Sequence, residues 1–149
     1  MQASIVISFA LLALAAPPDV PRPVREGGLA ATVRVSEPAT GSVGTGTVVG
    51  VRGGFVYILT AAHILGPGAK PQVETLAPTA VHESVEIVLR APDADVAVVR
   101  LPAGRREWAK VTFAPPVTGK SAPAAWAIGC DDGKEPQPGG GLGKGRPVP

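Results

Sequence analysis

A histidine and an aspartate, each at one end of an apolar run, are the residues of this chain best suited to act together chemically. Phe55, Val56, Tyr57, Ile58 and Leu59 lead into Thr60-Ala61-Ala62-His63, and Asp95 opens a second run, Val96-Ala97-Val98-Val99-Arg100-Leu101. An imidazole leaving one strand, opposite a carboxylate that opens another, makes two members of a nucleophilic triad. An unperturbed imidazole titrates near ~6.5, so its neutral form accepts a proton at neutral pH. The carboxylate on the other ring nitrogen decides which nitrogen is free and stabilises the imidazolium. Small Ala61 and Ala62 let the chain turn tightly and set the ring at the strand's end. Asp93 is the rival carboxylate, but in Pro92-Asp93-Ala94-Asp95 it reads as a solvated turn residue. The third member, a serine in a Gly-x-Ser-Gly turn, does not occur. After Asp95 the only serine is Ser121, in Gly119-Lys120-Ser121-Ala122-Pro123.

The elements that must position this pair read as short strands. Apolar runs cover residues 29–35, 43–51, 55–60, 95–101 and 124–128, with Gly44 and Gly46 inside the second. Glycine within a strand marks a place where another backbone can approach closely. Gly53-Gly54 turns the chain between two runs. Residues 81–89 alternate, with Val81, Val85, Ile87 and Leu89 on one face and His82, Ser84, Glu86 and Arg90 on the other, the period of a half-buried strand. No window sustains a helical period. The 19 glycines and 17 prolines favour short strands and turns over long helices. An all-β barrel or sandwich is expected. A helical turn is predicted only over residues 61–65, stopped by Gly66-Pro67-Gly68.

At 149 residues the chain holds at most one ordinary domain. A net charge of +2 with scattered Lys and Arg gives no electrostatic stripe, so no nucleic-acid partner is expected. With 4% aromatic residues, the core must be built from Val, Leu, Ile and Ala. Residues 5–16 are apolar except for Ser8, too short to span a bilayer as a helix and suited to an export signal at 1–16. The alternatives there are a buried helix or an uncleaved membrane anchor. Residues 17–28 read as a Pro-rich extended linker. Cys130 is the only cysteine, so no internal disulfide is possible, which suits a bacterial envelope compartment; it reads as a small buried hydrophobe. Residues 136–149 carry too little apolar surface to repay ordering and are expected to be disordered. No metal or cofactor is implied. His63, His82 and Cys130 match no zinc spacing. Gly119-Lys120-Ser121 has Ala114 where a phosphate loop needs glycine. Asp131-Asp132-Gly133 reads as a tight turn.

Three motifs occur in order: Gly44-Thr45-Gly46-Thr47-Val48-Val49, Thr60-Ala61-Ala62-His63 and Asp95-Val96-Ala97-Val98-Val99. This series resembles the trypsin/chymotrypsin-fold serine peptidases, above all the bacterial trypsin-like branch with the HtrA-type enzymes, over residues 29–130. The resemblance implies the first β-barrel of a trypsin-like double barrel at 29–118. The start of a second barrel follows at 119–135, and the rest of that barrel is largely missing. It implies His63 as general base, Asp95 as its orienting carboxylate, a peptide or protein substrate, and a secreted or periplasmic location. The chain departs from the family in having no Gly-(Asn/Asp)-Ser-Gly-Gly turn, which would supply both nucleophile and oxyanion hole. It is therefore expected to be an inactive fragment of a serine endopeptidase. The alternative is a catalytically dead module that binds peptides or a partner protein.

Overall fold

The computed structural model describes residues 21–76 and 78–113, with the backbone alone at 127–129 and 137–139. Seven strands form one antiparallel sheet: β1 (Thr32–Glu37), β2 (Ser42–Arg52), β3 (Phe55–Thr60), β4 (Gln72–Leu76), β5 (Thr79–His82), β6 (Glu86–Ala91) and β7 (Val96–Pro102). Their order across the sheet is β5-β4-β1-β2-β3-β7-β6. Gly53 and Gly54, both at positive φ (60° and 78°), make the two-residue hairpin that pairs Arg52 with Phe55. Such a turn needs left-handed backbone at both central positions, which glycine adopts without a Cβ penalty.

β5 and β6 are the two edges of the sheet, yet only residues 83–85 separate them. From His82 to Glu86 the chain can reach no more than about 14 Å. The sheet must therefore roll until its edges come near each other, giving the expected all-β barrel. Val35, Val48, Val56, Ile58, Val73 and Val99, each 0% exposed, fill its interior. β-Branched side chains dominate because they pack well on a pleated surface.

Three expectations need correction. From Arg22 onward the linker read over residues 17–28, and the strand read from Leu29, give way to helix α1 (Arg22–Ala31), while residues 17–20 lie outside the described residues. Pro23 sits in its first turn, where a missing N–H costs nothing. Arg22 pairs with Glu26 (2.7 Å), and Thr32 Oγ1 donates to Gly28 O (2.7 Å) at the far end. Second, the strand over 81–89 is two strands on opposite edges of the sheet; Val85 and Ile87 pack against the core as read, but the phase fails on either side of them. Val81 and Leu89 are exposed (58% and 53%), while His82 packs inward against Trp108. A bulge between Ile87 and Leu89 shifts the register of β6 on β7 and breaks the alternation. Third, the disorder read over 136–149 fails at its start. β9 (Gln137–Gly139) pairs antiparallel with β8 (Ala127–Gly129), a ladder that needs only backbone groups. The remainder of that segment, the export signal at 1–16, Ser121 and Cys130 lie outside the described residues.

After β7 the chain straps back across the barrel. Ala103 N–H donates to Gly54 O, Trp108 Nε1–H to Ala103 O, and Val111 N–H to Val48 O. Arg106 lies over the Trp108 ring, 4.8 Å from its centroid, and donates to Thr75 Oγ1. His82 Nε2 is enclosed beneath this strap with no hydrogen-bond partner among the described residues. Burial, then the charge of Arg106, pushes its pKa below the usual 6.5. The unfolded chain therefore binds a proton at His82 more readily than the folded one. The stability tied to neutral His82 is complete above about pH 6.5 and is lost as pH falls from there through the lower folded value. His82→Phe, which keeps a ring against Trp108, is expected to lose less thermal stability than the parent between about pH 7 and pH 5. Equal losses in the two proteins would refute this. No helix among the described residues is long and apolar enough to cross a membrane.

Candidate active site

The site is built at the end of β3. Thr60, 7% exposed, donates its hydroxyl proton to Thr45 O on β2 (2.9 Å), which fixes where the chain leaves the sheet. Ala62–Ile64 then form a single 3-10 turn, closed by Leu65 N–H donating to Ala62 O. Ala62, Ile64 and Leu65 are buried, so the turn is nailed to the core through its apolar side chains while His63 points outward, its side chain 73% exposed. Gly44 makes the space: a Cβ there would fall on Ile64 Cδ1. Gly44 and Gly46 of β2 thus admit side chains, where the sequence suggested a neighbouring backbone.

Asp95 arrives from the other side. The turn Pro92–Ala94 ends with Asp95 in left-handed backbone (φ 49°, ψ 42°), its N–H donating to Pro92 O (3.0 Å). Aspartate tolerates this conformation better than most residues. The kink aims its carboxylate at the histidine turn just before β7 begins. His63 N–H donates to Asp95 Oδ1 (2.9 Å), and His63 Nδ1 lies 2.7 Å from Oδ2 and 3.0 Å from Oδ1.

An ionised carboxylate can only accept, so Nδ1 must carry the proton in this pair. In the neutral ring that leaves Nε2 with its lone pair free, and Nε2 has no hydrogen-bond partner among the described residues. The hydrogen bonds from the His63 ring and from its backbone N–H hold the Asp95 carboxyl below the usual 3.8. Asp95 therefore stays ionised through neutral and mildly acidic pH. The arrangement can accept a proton at Nε2 and stabilise the resulting imidazolium.

The two residues read from sequence as a pair are thus brought together. Asp93 stays in the turn with exposed surroundings, and His82 is engaged with Trp108 on β5. Among the described residues no three His, Cys, Asp or Glu side chains gather closely enough to hold a metal ion. Sequence reasoning missed Arg90, whose Nε–H donates to Leu65 O (2.6 Å) behind the histidine turn. Its only sequence signal was the polar phase of an alternating strand.

Residues 44–146 match the trypsin-like peptidase domain family, and the chain belongs to that family. No curated protein matches the sequence. Among solved structures, the inactive form of Rv3671c from M. tuberculosis H37Rv, a serine-to-alanine mutant, is 21% identical with a TM-score of 0.64, over 86% of this chain and 60% of that one. The active form of the Rv3671c protease gives 20% and 0.64, over 91% and 59%. The serine endoprotease from Yersinia pestis gives 20% and 0.63, over 80% and 43%. At these identities the likeness is one of fold, and this chain spans 60% or less of each.

Proposed function

We propose that this chain is the base-carrying barrel of a serine endopeptidase of the bacterial trypsin-like branch. His63 is the general base for a serine hydroxyl, and Asp95 holds its tautomer. The single observation that carries this reading is the Asp95 carboxylate bonded to both the ring Nδ1 and the backbone N–H of His63. Hydrolysis would pass through an acyl-enzyme: the serine oxygen bonds to the scissile carbonyl carbon and its proton moves to Nε2. His63 then returns that proton to the leaving amine as the C–N bond breaks.

The sequence contains no Gly-x-Ser-Gly turn, so these residues by themselves are expected to be inactive on peptides. The nucleophile, the oxyanion hole and the pocket that selects the residue before the scissile bond must come from elsewhere. A fluorophosphonate probe is expected not to label the purified chain, and stoichiometric labelling would contradict this. Reading the coding DNA beyond Pro149 in all three frames tests the peptidase assignment itself. A Gly-x-Ser-Gly in any frame supports it; none in any frame favours a catalytically dead module that binds peptides. The apolar run at residues 5–16 supports an exported protein. N-terminal sequencing of the mature chain is expected to start near Pro17, and a retained Met1 would exclude cleavage there.

A further inference from the structure

We propose that Arg90 is a positioning residue for the His63–Asp95 pair. Its guanidinium locks the turn that carries the imidazole to the strand pair that carries the carboxylate. This rests on reading His63 as the general base, and adds to that reading the device that keeps its ring aligned.

The argument starts from where the two halves of the pair are attached. His63 rides on a 3-10 turn of only three residues, Ala62–Ile64, a short element with poor internal hydrogen-bond geometry. Asp95 rides on the junction into β7, which β6 supports: Arg90 pairs with Ala97, two residues beyond Asp95. Two hydrogen bonds join these units outside the ring contact. In the middle of the turn, His63 N–H donates to Asp95 Oδ1 (2.9 Å). At its end, Arg90 Nε–H donates to Leu65 O (2.6 Å), bridging residues 25 apart in the chain.

Leu65 is a suitable anchor. Its side chain is fully buried and its N–H already closes the turn on Ala62 O, so its carbonyl points in a fixed direction. Arg90 has no ion pair among the described residues, so its guanidinium is committed to this carbonyl and not to a carboxylate. A guanidinium N–H to carbonyl bond is charge-assisted and stronger than a neutral one. Without it, the turn keeps its buried apolar side chains, but the Asp95 carboxylate becomes the one hydrogen-bonding group among the described residues that ties it to the β6–β7 side. Local opening of the turn then becomes easier, and the ring spends more time away from the carboxylate.

The test reads the ring directly in the whole chain. Proton NMR follows the His63 Nδ1–H line and its exchange with water, with the Val99 amide in the barrel core as an internal control. Arg90→Met keeps the aliphatic stem and removes the donor. It is expected to speed Nδ1–H exchange about tenfold while leaving Val99 unchanged. Arg90→Lys, which restores one donor, is expected to recover exchange to within about threefold of the parent. If the Met variant does not fold, Arg90→Gln replaces it, since its shorter side chain is expected not to reach the carbonyl. Unchanged Nδ1–H exchange in a folded variant without the donor, or failure of Lys to restore it, overturns the proposal. These results need no turnover, so they leave the peptidase reading standing. Absence of the Nδ1–H line in the parent protein would instead sink the pairing on which both rest.

Discussion

Replacing His63 with alanine, in a form of the chain extended by a complete second barrel that carries the Gly-x-Ser-Gly turn, the oxyanion hole and the substrate pocket, is expected to lower peptide hydrolysis by about 10⁶-fold. The serine hydroxyl is a weak nucleophile until a base removes its proton, and no other side chain among the described residues is placed to substitute. Among the described residues Asp95 is the one carboxylate on the His63 ring, and it acts only as a hydrogen-bond acceptor there. Asp95→Asn in the same extended chain is expected to cost less, about 10⁴-fold. Asparagine can turn an NH₂ group toward Nδ1 and so favour the wrong tautomer, leaving Nε2 protonated and unable to accept. Both variants are expected to remain folded, because His63 and Asp95 are largely exposed. The measurement is kcat/KM on a fluorogenic peptide together with the fluorophosphonate labelling rate. Activity within tenfold of the parent in the His63 variant would remove the general-base assignment.

Gly46→Val is expected to abolish the cooperative thermal transition of the barrel. A Cβ at this position would stand 2.7 Å from Ile58 Cγ2, 2.7 Å from Val35 Cγ2 and 2.9 Å from Val33 Cγ2. These neighbours come from β1 and β3, on either side of β2, and are buried to 2% exposure or less. All three are β-branched and held to narrow χ1 ranges, so none can swing aside cheaply. Overpacking by a single carbon costs about 1–3 kcal/mol, and valine adds two more. Gly46→Ala is the graded version, expected to lower the melting temperature by roughly 10 °C in a domain of this size. Gly50→Ala on the same strand is the control. A Cβ there meets nothing within 4 Å, so no loss of that size is expected. Circular dichroism melts of the three variants decide the matter, and a Gly46→Val protein as stable as the Gly50 control would refute the packing argument.

Much of this molecule is legible in the sequence because its signals are local. Gly53-Gly54 between two apolar runs defines a hairpin whatever else the chain does. The strand ending in Thr60-Ala61-Ala62-His63 and the strand opened by Asp95 are neighbours, β3 and β7, with Thr60 paired to Ala97. That register alone brings the histidine turn beside the aspartate. The low aromatic content correctly implied an aliphatic core. The departures share one cause. Alternation in residues 81–89 gives a period but not a phase. Which residues face inward depends on the break at 83–85 and the bulge near Val88, where the two sheet edges approach. Similarly, α1 depends on capping and pairing within a glycine- and proline-rich segment that has little intrinsic helix preference.

Residue types and their order were enough to set an all-β class, barrel or sandwich, its main hairpin, and a histidine and an aspartate at strand ends, and the resemblance of the motifs favoured the barrel. Tertiary structure alone decided how that pair is held. The hold of the Asp95 carboxylate on His63, the space over Gly44 for Ile64, and the reach of Arg90 to the Leu65 carbonyl each join residues far apart in the chain. Such contacts exist only once the sheet has rolled, and periodicity along the chain carries no record of which side chains the rolling brings together.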